Sequence, residues 1–303
     1  MTKLERPKTA RWVACGLSII LCLIASPTSG QSSGTTVVDD RGVTVRFTAP
    51  PRRVITLMPA LTESVCALGA CDRLVATDRY SNHPESVRSL PKLGGLDDAN
   101  VEQIVSLRPD VVLLTQSMRI TERLEVLGLK VVVLETHSYE DVQRVLSRIS
   151  ELLHTGDAPA LWHRIDAEVA AAARSVPAST RGTSVYYEVD STPYAAGESS
   201  FIGQTLKRFG LRNIVPPGLG IFPRLNPEFI VRANPQLIMV GQGSAKALQS
   251  RPGWEGIAAL RRHGICLLSP DDSDVLTRPG PRMALGAQVV ARCLRGLQSG
   301  ILP

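Results

Sequence analysis

The chain has 303 residues, 44% of them hydrophobic and 20% charged, which is apolar enough for packed cores and argues against disorder over most of its length. Its formal net charge of +6 overstates the basicity of the working protein, because Lys3, Arg6, Lys8 and Arg11 belong to an expected secretory signal, and about half of the charge leaves with it. The remainder is only mildly basic, which removes the main support for nucleic acid as a partner.

The signal is read from the basic residues, the apolar run WVACGLSIILCLIA and the small-residue stretch SPTSGQSSG, with cleavage expected near Gly30–Gln31. The apolar run is short for a membrane span, and no later segment is long enough for one. A lipoprotein reading is weaker, since Cys22 follows Leu21 rather than a small residue and Cys15 precedes the apolar run. Export places Cys66, Cys71, Cys266 and Cys293 where disulfides are permitted. Proximity within each half suggests Cys66 with Cys71 and Cys266 with Cys293; buried free thiols are the alternative. No CxxC or Cys/His spacing points to zinc.

After a polar leader, TTVVDDRGVTVRF predicts two short strands around the turn DDRG. From Arg52 the runs RVITL, RLVAT, DVVLL and KVVVLE are continuous and β-branched, as strands buried on both faces should be. Helical stretches such as LTESVCALG, ended by Gly69, and RITERLEVLG, ended by Gly128, lie between them. Between residues 139 and 176 the texture becomes long helix. One apolar stripe runs through Val142, Val145, Leu146, Ile149, Leu152 and Leu153, and after TGDAP a second runs through Leu161, Trp162, Ile165 and Val169. Strand texture resumes at TSVYYEV, followed by helix FIGQTLKRFG, strands QLIMV and ICLLS, and a closing helix from about Met283 to Leu297. The expected fold class is α/β: two Rossmann-like lobes with mainly parallel sheets, residues 31–138 and 177–303, joined by a helical spine over 139–176.

One phrase occurs twice. NVEQIVSLRPDVVL begins at Asn100 and NPEFIVRANPQLIM at Asn226, each with an N-capping Asn, an acidic residue in the first helical turn (Glu102, Glu228) and a Pro before a buried strand. An acidic residue there is favoured by the helix dipole for about 0.3–1 kcal/mol without any function. Two lobes of like plan, however, fit a ligand held in the cleft between them.

RVITLMPALTESVCALG, ATDRYSNHPES, LPKLGG, NVEQIVSLRPDVVL and the tail RPGPR together resemble the helical-backbone class of periplasmic substrate-binding proteins of ABC importers, which carry cobalamin, haem or ferric siderophores. The likeness covers roughly residues 37–297. RVITLMPALTE, YSNHP and RPGPR most resemble the cobalamin type, whereas DDRGVTVRF is more typical of siderophore binders. The resemblance implies a periplasmic monomer that captures a corrinoid between its lobes and delivers it to a permease dimer in the inner membrane. It also implies that Glu102 and Glu228 dock, one per lobe, on that two-fold symmetric partner. Tyr80 matches a cleft tyrosine, Phe222 an aromatic that packs on the corrin, and Asp274 an acidic residue near the nucleotide side, although Asp274 could simply pair with Arg278 or Arg282. Leu96 and Thr115 stand where the well-known cobalamin binder carries tryptophans; Leu96 still keeps that cleft wall apolar. No resident cofactor or metal is implied, since cobalamin, or alternatively a ferric siderophore or haem, is cargo.

Two further readings of the residues are open. His83, three residues from Tyr80, could ligate haem iron, although a solvent-facing loop histidine is the plainer account; His137, His154, His163 and His263 are scattered. An exported hydrolase is the rival class. The chain has no GxSxG elbow and no GxxxxGK[ST] loop, and GESSF at Gly197 lacks the closing glycine, so no catalytic residue is expected. AAGESSF reads instead as a glycine-bearing loop lining the cleft.

Overall fold

The computed structural model describes residue 2 and residues 34–299; the expected signal segment and its cleavage site lie outside the described residues. The leader forms an antiparallel hairpin of β1 (Thr35–Val38) and β2 (Thr44–Phe47) around the predicted turn. Next come β3 (Val54–Thr56), α1 (Pro59–Ala67), β4 (Leu74–Thr77), α2 (Val101–Ser106), β5 (Val111–Leu114), α3 (Thr121–Val126) and β6 (Val131–Val133). The four strands of this segment form a wholly parallel sheet in the order β4-β3-β5-β6.

The spine is two helices rather than one continuous rod, α4 (Tyr139–Leu153) and α5 (Ala158–Arg174), 15 and 17 residues long. At 1.5 Å per residue they span about 22 and 25 Å. The break has a local cause: His154 takes a left-handed φ of 49°, Gly156 follows at 67°, and Asp157 caps α5 by accepting from the Ala160 N–H. At its other end α4 begins in a capping box formed by Ser138 and Asp141.

The second lobe holds β7 (Ser184–Asp190), β8 (Tyr194–Ala195), α6 (Phe201–Arg208), β9 (Arg212–Asn213), α7 (Pro227–Ala233), β10 (Leu237–Gly241), α8 (Gln242–Ser250), α9 (Ala258–Arg261), β11 (Ile265–Leu268), α10 (Pro270–Thr277) and α11 (Met283–Ser299). Strands β11, β10, β7 and β9 are mutually parallel where paired, and only β8 runs antiparallel, against β7.

Both sheets are covered on both faces, which explains the unbroken apolar runs. The period of two sorts them. Val54, Val111, Leu113 and Val132 face inward with Val185, Tyr187, Leu237 and Met239, in one core shared with α4, α5 and α11. Ile55, Val112, Leu114, Val131 and Val133 face outward beneath Ile104 of α2 and Leu124 of α3. In the second lobe Tyr186, Ile238 and Val240 pack outward with Ile230 and Trp254. Two disulfides stitch this plan: Cys66 to Cys71 at the close of α1, and Cys266 within β11 to Cys293 midway along α11.

Candidate functional site

The cleft opens at the carboxyl ends of the strands, where an α/β sheet leaves space for ligands. Met58 follows β3, Thr115 and Ser117 follow β5, and Glu135, Thr136 and His137 follow β6; all line a cavity of about 170 Å³. The opposite wall comes from the second lobe: Phe201 and Ile202 at the start of α6, Ile221 and Phe222 in a loop, and Thr277, Arg278 and Pro279 after α10. The AAGESSF segment does reach the cleft, through Phe201. Its glycine, Gly197, and Gly203 of α6 are both sterically required, because a Cβ on Gly197 would lie 2.1 Å from the Gly220 carbonyl oxygen and one on Gly203 2.1 Å from that of Gly197.

Of the four ligand candidates, Phe222 lines the cavity, 48% exposed and free to meet a ligand. Tyr80 and Leu96 are 58% and 41% exposed but lie outside the cavity lining. Tyr80 projects from a turn whose geometry is fixed from below. Asp78 accepts the Tyr80 N–H (2.8 Å) and the Ser81 hydroxyl, Ser81 bonds Thr62 (2.7 Å), and Thr62 bonds Thr56 (2.7 Å). Burial pushes the Asp78 carboxyl above its usual range against those hydrogen bonds. Thr115, one of the two positions expected to carry tryptophan in a cobalamin binder, does line the cavity.

Asp274 lies outside that cavity and is taken up in an ionic cluster that joins the lobes. Arg278 donates to Asp274 (2.6 Å), to the Asn82 side-chain oxygen (2.7 Å), to Glu63 (3.3 Å) and to the Tyr80 carbonyl (3.3 Å). Arg282 grips the same Glu63 carboxylate through two bonds of 2.9 and 2.6 Å, and Asn82 also donates to Asp274 (3.2 Å). Glu63 is buried on α1 of the first lobe, and both arginines follow α10 of the second. Glu63 and Asn82 were not singled out from sequence, although each lies inside a quoted motif, RVITLMPALTE or YSNHP; Arg278 and Arg282, in RPGPR, were candidates as ion-pair partners of Asp274, and Arg278 is one.

His83, like Tyr80, does not line the cavity. It borders a second, more polar groove of about 370 Å³ with Arg88, Asp274 and Arg282. Burial and the nearby Arg282 charge hold its imidazole below the usual range, which keeps it neutral. His137, grouped above with the scattered histidines, is the one that reaches the cleft, where Glu135 holds its Nε2 at 3.0 Å. His154 bonds Thr35 at the spine break. Among the described residues no group of three or more His, Cys, Asp or Glu could hold a metal ion, and no helix is long and apolar enough to cross a membrane.

The doubled motif occupies matching places. Asn100 caps α2 by accepting from the Gln103 N–H, and Asn226 caps α7 by accepting from the Glu228 N–H. Each helix turns directly into a parallel strand, so both N-termini lie at the strand carboxyl ends, the end at which the cleft opens. Glu102 is exposed and pairs with Arg123 (2.8 Å); Glu228 is exposed and has no ion pair among the described residues.

Comparison with known proteins accords with this plan. The chain is 29% identical over 254 residues to a vitamin B12-binding protein of Vibrio vulnificus, covering 80% of this chain and 89% of that one. It is 27% identical over 274 residues to an uncharacterised ABC transporter substrate-binding lipoprotein of Bacillus subtilis, covering 86% and 85%. The solved structure of the periplasmic heme-binding protein BhuT with two hemes superposes with a TM-score of 0.70 at 25% identity, covering 81% of this chain and 98% of that one. The family model described as Periplasmic binding protein matches residues 54–271, both lobes and the spine between them, and the chain belongs to that family.

Proposed function

We propose that the protein is the exported, monomeric solute-binding component of an ABC importer, a carrier rather than an enzyme, and that its cargo is a corrinoid of the cobalamin type. On this reading residues 1–30 direct export to the periplasm and are removed, and Glu102 and Glu228 engage basic pockets of a two-fold permease, one per lobe. The signal read in the sequence and the relatives described as periplasmic support that placement, and the names of the relatives support both the transport role and the cargo.

The observation that carries the choice of cargo is the state of Arg278. Among the described residues it is the only Lys or Arg in the cavity lining, and its guanidinium is already engaged by Asp274, Glu63, Asn82 and the Tyr80 carbonyl. A haem would bring its propionate carboxylates, and a ferric siderophore its anionic groups, to a cavity with no free cation to receive them. A corrin instead offers a flat apolar ring and a rim of neutral amides, suited to Phe222, Ile202, Ile221 and the threonine and serine hydroxyls. A cavity of this size admits part of a macrocycle, so the ring is held by one edge while Tyr80 and Leu96, exposed outside the lining, remain within reach of the portion that projects.

The test is a thermal denaturation panel with cyanocobalamin, haemin and a ferric hydroxamate. A ligand at one hundred times its dissociation constant adds about 2.7 kcal/mol of stability. Cyanocobalamin is expected to give that shift. Its failure to do so while haemin or the hydroxamate succeeds overturns the assignment of cargo.

A further inference from the structure

The polar wall of the cavity carries the Glu135–His137 pair, and from it we infer how the site discriminates among cargoes. We propose that these two residues form a fixed pair of hydrogen-bond acceptors that reads a primary amide on the rim of the cargo and turns a carboxylate away. The proposal rests on the corrinoid reading given above and adds to it the residues that set specificity.

The pair is mounted rigidly. One Glu135 carboxylate oxygen accepts the Gln116 N–H, and the other lies 3.0 Å from His137 Nε2. The His137 backbone N–H is bonded to Asp141 (3.0 Å), within the capping box that starts α4, so the ring stands on a fixed base. A proton on Nε2 directed at Glu135 leaves the Nδ1 lone pair uncommitted, and among the described residues no hydrogen bond to Nδ1 is formed. The neighbouring hydroxyls of Thr115 and Ser117 satisfy each other at 2.7 Å, and the facing wall is apolar at Phe201 and Phe222.

The polar side of the cavity thus presents the Glu135 carboxylate and, with the proton on Nε2, the Nδ1 acceptor of His137. The –NH2 of a primary amide brings the donors that such a surface lacks. A carboxylate brings a like charge and no donor, and it would leave both partners unpaired when water is excluded. Replacing one amide by a carboxylate changes almost nothing in shape, so any discrimination must come from these groups.

Cyanocobalamin and its monocarboxylic acids, each with one primary amide hydrolysed, are the matched probes. Calorimetric titration of the wild-type protein is expected to show at least one monocarboxylic acid bound about tenfold more weakly than cyanocobalamin, the effect of one lost buried hydrogen bond. Glu135→Gln and His137→Phe, both at partly exposed positions and with melting temperatures expected to be unchanged, should each weaken cyanocobalamin about tenfold and shrink the penalty on that acid. If the wild-type protein binds cyanocobalamin but every acid binds equally well and both variants match it, the acceptor pair is refuted and the corrinoid assignment stands. If the wild-type protein does not bind cyanocobalamin, both are refuted.

Discussion

Glu63 reaches almost no solvent, and its partners are two guanidiniums from a segment more than two hundred residues away. A buried carboxylate of this kind is stabilising only while both sides are present; removing one leaves the other charge uncompensated in a poorly solvated place. Glu63→Ala is therefore expected to lower the unfolding free energy by about 3 kcal/mol, and Glu63→Met combined with Arg282→Met should recover much of it. Urea titrations of the two variants decide this, and a loss below about 1 kcal/mol for Glu63→Ala would mean that the cluster contributes little to holding the lobes together. Local sequence revealed one edge of the cluster, Asp274 with Arg278 one helical turn away, but could not have revealed its Glu63 centre. Helix caps such as Asn100 and Asn226 are legible because donor and acceptor lie within one turn, whereas Glu63 and Arg282 meet only through the whole fold. Resemblance directed attention to Asp274, whose side chain pairs with Arg278, but Arg278 is the residue that borders the cavity. His137 was hidden for the same reason: nothing in LETHSYE indicates that the loop after β6 ends at a cleft.

The strands show why most elements were readable. Strands covered on both faces must be apolar at every position, so RVITL, DVVLL and KVVVLE marked β3, β5 and β6, and the 3.6-residue stripes marked α4 and α5. The pieces that were not marked, β8, β9, α8, α9 and α10, are two to nine residues long, too short for a period to emerge. Two attachments between elements can be tested. Cys266 and Cys293 close a loop with a sequence separation of 27 between β11 and α11, and replacing both by alanine is expected to cost about 3 kcal/mol in a denaturant titration. No measurable change would show that the bridge does not constrain the unfolded chain. The leader hairpin is fastened through Asp40, which receives Arg144 and Arg148 of α4 and the Glu135 N–H (2.6 Å). Burial alone would raise this carboxyl, but the hydrogen bonds and the two positive charges outweigh it and hold its pKa below the ordinary range. A depressed carboxylate stabilises the fold above the unfolded value, near pH 4, and that contribution disappears as the pH falls through the folded value. Asp40→Asn should thus narrow the stability difference between pH 6 and pH 3; an unaltered acid limb would assign the dependence to other carboxylates.

For the molecule as a whole, the proposed symmetric docking predicts a separation of two activities. Glu102→Arg together with Glu228→Arg is expected to abolish uptake in cells while cargo affinity, measured on the purified protein, stays within about twofold of wild type, because exposed charges at a distance contribute little to a closed cleft. An equal fall in both would place the two carboxylates in the binding site instead. At this scale the sequence was informative about the lobes and the spine, since a repeated pattern of strands and helices must be repeated in space. It said nothing about how the two inner surfaces meet. They meet in a single hydrophobic cluster that takes side chains from both sheets and from α4, α5 and α11. Neither half therefore owns a finished interior: each would be left with a raw apolar wall if the other were removed. On the proposed transport role, admitting and discharging cargo is expected to involve slight bending about that common keel rather than the swing of a hinged door.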